Sequence, residues 1–333
     1  MPKKTRMIMV GAGGMARSHL RKLLLQHDTT RILALCEPSE AAYLRTGQLF
    51  KKAGMAAPPN EPDLERLLSE REGEIDAAFI ITPHMYHHAQ ATMCMEAGLD
   101  VLLEKPMVMN ADEARLLIRT RDRTGRLLTV AFQSSLSPHV GHALELIRSG
   151  KAGAIVAIHA NVWQNWKANT DGTWRQDPEM AGGGFMFDTG AHLLNLVVRF
   201  AGEDFAEVSA WQDNHGTPVD IITAAIGRLK SGVLVTIGGC GDAIGIGADV
   251  KVYCEQATFQ TDVWGAWLKM QLPGTKVFRK ITLPASLGVW QQFLAVRAGK
   301  LANPSPPELG LRLAQLWDAL KVSAEQGGRP VAV

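Results

Sequence analysis

Met7-Ile8-Met9-Val10-Gly11-Ala12-Gly13-Gly14-Met15-Ala16 is followed by a helical pattern over residues 17–26. Residues 7–10 form a short buried-strand pattern, and the glycines that follow at once predict a tight turn. Gly11 permits the turn, Gly13 lets a pyrophosphate approach the backbone, and Ala16 is small enough for close helix-to-strand packing, with Gly14 and Met15 between them. The helix N-terminus then offers free amides and a partial positive charge to phosphates. Strand, turn and helix in this order predict a dinucleotide-binding start.

A second strand over 31–36 ends at Glu37, about 20 residues beyond the turn, where an acid accepts hydrogen bonds from the adenosine ribose and repels a 2′-phosphate. NAD is therefore favoured over NADP, with Arg45 the nearby residue best able to reverse the choice; a plain surface acid is the other reading of Glu37. Helix over 63–71, strand over 76–81, helix from about His84, helix over 111–123 and strand over 127–132 continue the alternation of a doubly wound sheet. The strands at 76–81, at Val101-Leu102-Leu103 and at 127–132 are counted as its fourth, fifth and sixth.

Thr82 and Pro83 close one strand and should border the cofactor beside Gly11. The apolar run from Val101 ends in Glu104-Lys105-Pro106, an unusual finish for a buried strand. Open α/β sheets bind ligands at the carboxyl ends of parallel strands, so Lys105 would stand at a cleft; a solvated strand end is the alternative. His84, His87 and His88 lack an acid or cysteine at ligand spacing, so a metal is discounted in favour of solvent or cofactor-edge contact.

The 333 residues fit two domains, 1–125 for the dinucleotide and 126–333 for substrate and oligomer contacts. With 46% apolar residues, 20% charged and a net charge of +2, the chain carries no nucleic-acid footprint and no acidic tail. Cys36, Cys94, Cys240 and Cys254 are scattered, which suggests reduced thiols and a cytoplasmic setting. Lys3, Lys4 and Arg6 precede an apolar patch far too short for a signal peptide, and no run approaches a membrane span.

From Pro138 the texture changes. A helix up to Ser149 leads to a strand over 155–163 and then a loop to Ala181 holding Trp163, Trp166, Trp174, Arg175, Asn165 and Asn169. Aromatic faces among amide and guanidinium donors suit a sugar or polyol, and core packing is the alternative for each tryptophan. Gly182-Gly183-Gly184 precedes Asp188, and if Asp188 opens a helix, His192 and Asn195 follow on the same face at successive turns. A carboxylate beside an imidazole orients it and raises its basicity; a helix cap and a core histidine would leave the same letters. Beyond residue 205, strand patterns separated by turn-length gaps predict a mainly antiparallel sheet, open or sandwiched. Two helical patterns, 287–298 and 309–325, finish the chain.

With these pieces placed, the sequence resembles the glucose-fructose oxidoreductase / inositol dehydrogenase (Gfo/Idh/MocA) family over essentially its whole length. The carriers are Gly11-x-Gly13-x-x-Ala16, Thr82-Pro83 with His87, Ala97-Gly98 leading to Glu104-Lys105-Pro106, and Trp174-Arg175 through Gly182-Gly183-Gly184 to Asp188-x-Gly190-x-His192. The resemblance implies an α/β Rossmann domain followed by an α+β domain with an open, mainly antiparallel sheet, NAD(P) chemistry on a secondary alcohol of a sugar, inositol or related ring, and a homodimer or homotetramer. It places Lys105, Asp188 and His192 at the family's catalytic positions, and Glu104, Lys105 and His87 among the cofactor's neighbours. Asn195 stands where many members carry an acid and Ser135 where many carry an arginine, so substrate identity does not transfer.

On this reading His192 takes the proton of a substrate hydroxyl as hydride leaves the same carbon for the nicotinamide. Lys105 steadies the developing alkoxide, and Asp188 holds the hydroxyl, with Trp163, Trp174 and Arg175 around the substrate. Two alternatives stay open: an NAD-dependent glycosidase that oxidises its sugar transiently, and a cofactor-sensing regulatory protein without turnover.

Overall fold

The computed structural model describes residues 4–333, so Lys3 of the basic start lies outside it. Its first sheet is parallel throughout, in the order β2-β1-β3-β4-β5, from β1 (Thr5–Val10), β2 (Thr30–Cys36), β3 (Ala77–Ile80), β4 (Asp100–Leu103) and β5 (Leu128–Val130). Met7 to Val10 are fully buried, as a strand covered on both faces must be. Helix α1 (Gly14–Leu23) turns Ala16, His19, Leu20 and Leu23 inward, one apolar stripe at helical spacing. Helices α2 (Glu40–Lys52) and α3 (Leu64–Glu70) begin on side-chain caps, Ser39 accepting from the Ala42 amide and Asp63 from that of Arg66. Helices α4 (His87–Glu96) and α5 (Ala111–Thr124) complete the alternation.

The sheet holds five strands where the sequence count reached six. Between α2 and α3 the chain makes only an isolated bridge, Leu35 to Asn60, with Pro59 O and the Glu61 amide bonding the two sides of Leu35. Pro58 and Pro59 have no N–H to extend a ladder.

A second, nine-stranded sheet runs β13-β12-β11-β10-β6-β9-β8-β7-β14. Its strands are β6 (Ile155–Asn165), β7 (Phe205–Asp213), β8 (Ile222–Leu229), β9 (Leu234–Cys240), β10 (Asp242–Cys254), β11 (Thr258–Thr261), β12 (Leu268–Gln271), β13 (Arg279–Ile281) and β14 (Val331–Ala332). Only β6 and β9 pair in parallel, so the sheet is mainly antiparallel as expected, and it is one open sheet. Along β6, Ile158, Ala160 and Val162 are buried while His159, Asn161 and Trp163 are exposed. The buried face receives the wholly buried helix Gly190–Ala201, which packs on β6.

The helices of this unit are α6 (Pro138–Arg148), α7 (Trp166–Thr170), α8 (Pro178–Ala181), α9 (Phe185–Asp188) and α10 (Gly190–Ala201). The expected loop to Ala181 is thus a series of short helical turns. Asp188 does not open its helix: α9 starts three residues earlier and Asp188 is its last residue.

Helix α11 (Val289–Arg297) returns to the first unit. Trp290 is buried against Phe79 and Phe293, and its indole donates to Thr30 Oγ1 at 2.8 Å. Arg297 pairs with Asp100 at 2.7 Å, and Val130 donates to the Ser305 carbonyl. Among the described residues the first compact unit therefore comprises 4–107, 113–131 and 288–307, and the second the remainder, including α12 (Pro307–Glu325) from Glu308 onward. The border expected at 125/126 falls short of β5, which pairs with β4.

Candidate active site

In the first unit the glycine turn is held from several sides. Gly11 has φ +94°, and a Cβ there would stand 2.5 Å from the Ile81 carbonyl oxygen and 3.2 Å from the Thr82 methyl. Only glycine fits. The Ala12 amide donates to Glu37 Oε2 at 2.7 Å, while the Ala12 carbonyl accepts from Thr46 Oγ1 at 3.0 Å and Arg17 Nη1 at 2.8 Å. Glu37 Oε1 accepts from the Ser39 amide at 2.8 Å, so the carboxylate is fixed beside the turn. Around Gly13 a Cβ would meet nothing within 4 Å, and no side chain caps α1. Gly14 and Met15 are exposed at the same end, and Ala16 is buried against the sheet. Open backbone at Gly13, uncapped helix amides and an immobilised acid at the end of β2 fit a dinucleotide.

The carboxyl ends of β3 and β4 are tied together by His87. Its Nδ1 lies 2.8 Å from the Pro106 carbonyl and its Nε2 3.0 Å from that of Thr82, which follows β3. Burial lowers the pKa of His87 below the ordinary histidine value, although both carbonyls favour the cation. A neutral ring donates to only one of them. His84 lies in the turn just before, its ring 5.7 Å from that of His87, and Pro83 leads into that turn.

Glu104 is buried with Oε1 2.5 Å from His19 Nε2, and its Oε2 accepts the amide of Lys105 at 2.9 Å. Burial alone would raise the Glu104 pKa. The His19 bond and charge, with Lys105, overcome it and hold the carboxyl below the usual glutamate range. Lys105 itself is half-buried at the exit of β4.

In the second unit Asp188 is buried, and its Oδ2 accepts two donors, Trp166 Nε1 at 2.8 Å and Arg175 Nε at 3.0 Å. Arg175 also lies over the Trp174 ring, 4.5 Å from its centroid. One turn beyond Asp188, His192 is buried between Phe132, edge-on at 5.9 Å, and Trp264 at 6.4 Å. A further turn on, Asn195 Nδ2 donates to Ser135 Oγ at 3.1 Å and Ser134 Oγ at 3.3 Å. The two positions that depart from the family pattern are therefore bonded to each other, a neutral amide and hydroxyl in partnership.

Trp163 is not brought to this cluster. It lies on the outer face of β6, across Gly247, whereas α9 and α10 occupy the inner face; a Cβ on Gly239 there would strike Met186. Trp166, three residues on, is the indole that meets Asp188. The signal was available, because Ile158, Ala160 and Val162 set the inward parity of the strand and Trp163 falls on the other one. His19 and Thr46 have no comparable signal in the sequence, being ordinary helix residues until the fold brings His19 to Glu104 and Thr46 to the Ala12 carbonyl.

Residues 5–132 match the family described as an oxidoreductase family with NAD-binding Rossmann fold, and residues 140–260 the GFO/IDH/MocA C-terminal domain. Oxidoreductase P35 of Formosa agariphila is 33% identical over 133 residues, 39% of this chain and 41% of that one. D-glucoside 3-dehydrogenase of Escherichia coli is 24% identical over 197 residues, 59% of this chain and 54% of the relative. Each match thus spans less than two thirds of the relative's length. An inositol dehydrogenase homologue from Azotobacter vinelandii, solved with NAD+, shares the fold with a TM-score of 0.85 at 18% identity, covering 100% of this chain and 98% of that one.

Proposed function

This chain belongs to the GFO/IDH/MocA oxidoreductases, and from that premise we propose that it moves a hydride between a secondary alcohol of a sugar, inositol or related polyol and NAD. The observation that carries the reading is Asp188, gripped on one oxygen by an indole and a guanidinium, with the His192 imidazole in the next turn. That is a fixed acceptor and a candidate proton carrier, the equipment an alcohol oxidation needs.

Bound NAD supplies the hydride acceptor. The glycine turn from Gly11 to Ala16, with Thr82 and Pro83, would hold the pyrophosphate side, and Glu37 the adenosine ribose, which favours NAD over NADP. His192 takes the hydroxyl proton and Asp188 orients the hydroxyl. Lys105 donates to the oxygen as it becomes an alkoxide, and Glu104 and His87 set the backbone on either side of Lys105. Trp174 and Arg175 face the substrate. A sugar-type substrate is supported by the Escherichia coli relative, whose name assigns it a D-glucoside. Four cysteines outside any disulfide support a cytoplasmic setting. Exposed Val156, Trp211, Ile226 and Leu234 on the second sheet support a homodimer or homotetramer through that unit.

The test is the purified chain with NAD and with NADP against monosaccharides, inositols, sugar acids and glycosides, following absorbance of the reduced nicotinamide. Reduction of NAD in step with one polyol supports the proposal. Sugar release from a glycoside without net NADH would establish the glycosidase instead, and tight NAD binding with no turnover anywhere would establish a sensor.

A further inference from the structure

Asp220 lies between β7 and β8, just ahead of a strand, where an acid ordinarily faces water. It is only 7% exposed. Its three acceptor atoms take three consecutive amides at the start of α9: Gly184 N on Oδ1 at 2.6 Å, Phe185 N on the main-chain carbonyl at 2.8 Å, and Met186 N on Oδ2 at 2.9 Å. These are the amides that the first turn of a helix leaves unsatisfied. The approach is so close that a Cβ on Gly184 would overlap the Asp220 carbonyl oxygen.

The next residue extends the same brace. Ile221 O accepts the Gly241 amide at 2.8 Å, and Gly241 O accepts the amides of both Trp166 and Lys167, each at 2.8 Å, where α7 begins. One turn of chain therefore sets the origin of two short helices. The first carries Asp188, whose amide bonds Gly184 O at 2.9 Å. The second begins at Trp166, the indole that donates to Asp188.

We infer that Asp220 is a positioning residue that fixes where Asp188 meets Trp166 and Arg175, and with it the acceptor geometry offered to substrate. The inference rests on the reading of Asp188 given above. It separates Asp220 from the ordinary caps of this chain, since Ser39 and Asp63 each bond an amide three residues away, whereas Asp220 reaches back more than thirty residues. A four-residue helix such as α9 has too few internal bonds to hold its own start. The brace is also costly, because burial raises the Asp220 pKa despite the amides that favour its charge.

The test uses the full chain and its indole N–H resonances, of which the eight tryptophans give eight. Trp166→Phe identifies the Trp166 resonance, and Asp188→Asn records how it moves when its charged acceptor is lost. Asp220→Asn, which keeps the size but replaces an acceptor oxygen by a donor, is expected to move the Trp166 resonance in the same direction. The Trp290 resonance, bonded to Thr30 in the other unit, should stay in place. On the first polyol found to be turned over, kcat should fall about tenfold to a hundredfold at unchanged NAD affinity, as for a reacting group displaced by an ångström. A Trp166 resonance at its wild-type position in Asp220→Asn overturns the inference. If Asp220→Asn fails to fold, Asp220→Glu, which keeps the charge on a longer arm, is judged by the same resonance. Asp188→Asn with full turnover would instead sink the reading of Asp188, whatever Asp220 does.

Discussion

Gly11 and Gly13 are two residues apart in one turn, yet the structure assigns them opposite sensitivities to a single added methyl group. In Gly11→Ala the Cβ meets the Ile81 carbonyl oxygen at 2.5 Å and its carbon at 2.9 Å, with the backbone held at φ +94°. The left-handed conformation costs an L-residue roughly 1–2 kcal/mol, and overpacking a tight contact roughly 1–3 kcal/mol more. The expected loss is about 2–5 kcal/mol, which for a unit of this size lowers Tm by roughly 4–20 °C. Gly13→Ala has open space at its Cβ and an ordinary φ of −68°. Its Tm should stay within about 2 °C of wild type, as for an unhindered surface change. The methyl group then occupies the space through which a pyrophosphate approaches, so NAD affinity should drop at least about tenfold, roughly 1.4 kcal/mol. Thermal melts without cofactor and titration calorimetry with NAD read the two effects separately. Equal melting temperatures for the two variants, or full NAD affinity in Gly13→Ala, would overturn these assignments.

Glu104 makes a pH-dependent contribution. Its folded pKa lies below the unfolded value, so the unfolded chain binds the extra proton first, and the contribution is present above the ordinary glutamate range and lost as pH falls through the folded pKa. Glu104→Gln should flatten the acid side of the Tm-against-pH curve; an unchanged slope would contradict the assignment. Trp166→Phe removes one of the two donors on Asp188 Oδ2. With one donor gone the carboxylate is held less firmly, and kcat on the first substrate identified should fall about tenfold or more, as for a misplaced reacting group. Trp163→Phe, on the outer face of the sheet, should leave kcat within about twofold, the spread of an uninvolved surface change.

The first sheet was legible because each strand there is an apolar run with a turn or a helix on either side. The strand count was not, because between α2 and α3 the chain makes only the isolated bridge of Leu35 to Asn60, and Pro58 and Pro59 have no N–H to extend it into a ladder. Nor was the return of residues 288–307 to the first unit, which depends on Trp290 finding Phe79 and Thr30 more than two hundred residues away. In the site, Asp188 and His192 could be named from their motif, while the atoms that hold Asp188 could not. In the sequence Arg175 reads as a substrate contact, and in the structure it bonds Asp188 through Nε. Trp166 is one indole among several in the sequence, and the parity of β6 sets it apart from Trp163. Asp220 carries no sequence signal at all, since its partners are main-chain amides more than thirty residues earlier.

Turnover and NAD affinity of Lys105→Met, on the first polyol found to reduce NAD, isolate the role of the lysine at the exit of β4. Removing a cationic donor from a developing alkoxide is expected to lower kcat by roughly 10²–10³ while the NAD Kd stays within about twofold. Near-normal kcat in Lys105→Met, with NAD still bound, would mean that the lysine does not stabilise the alkoxide.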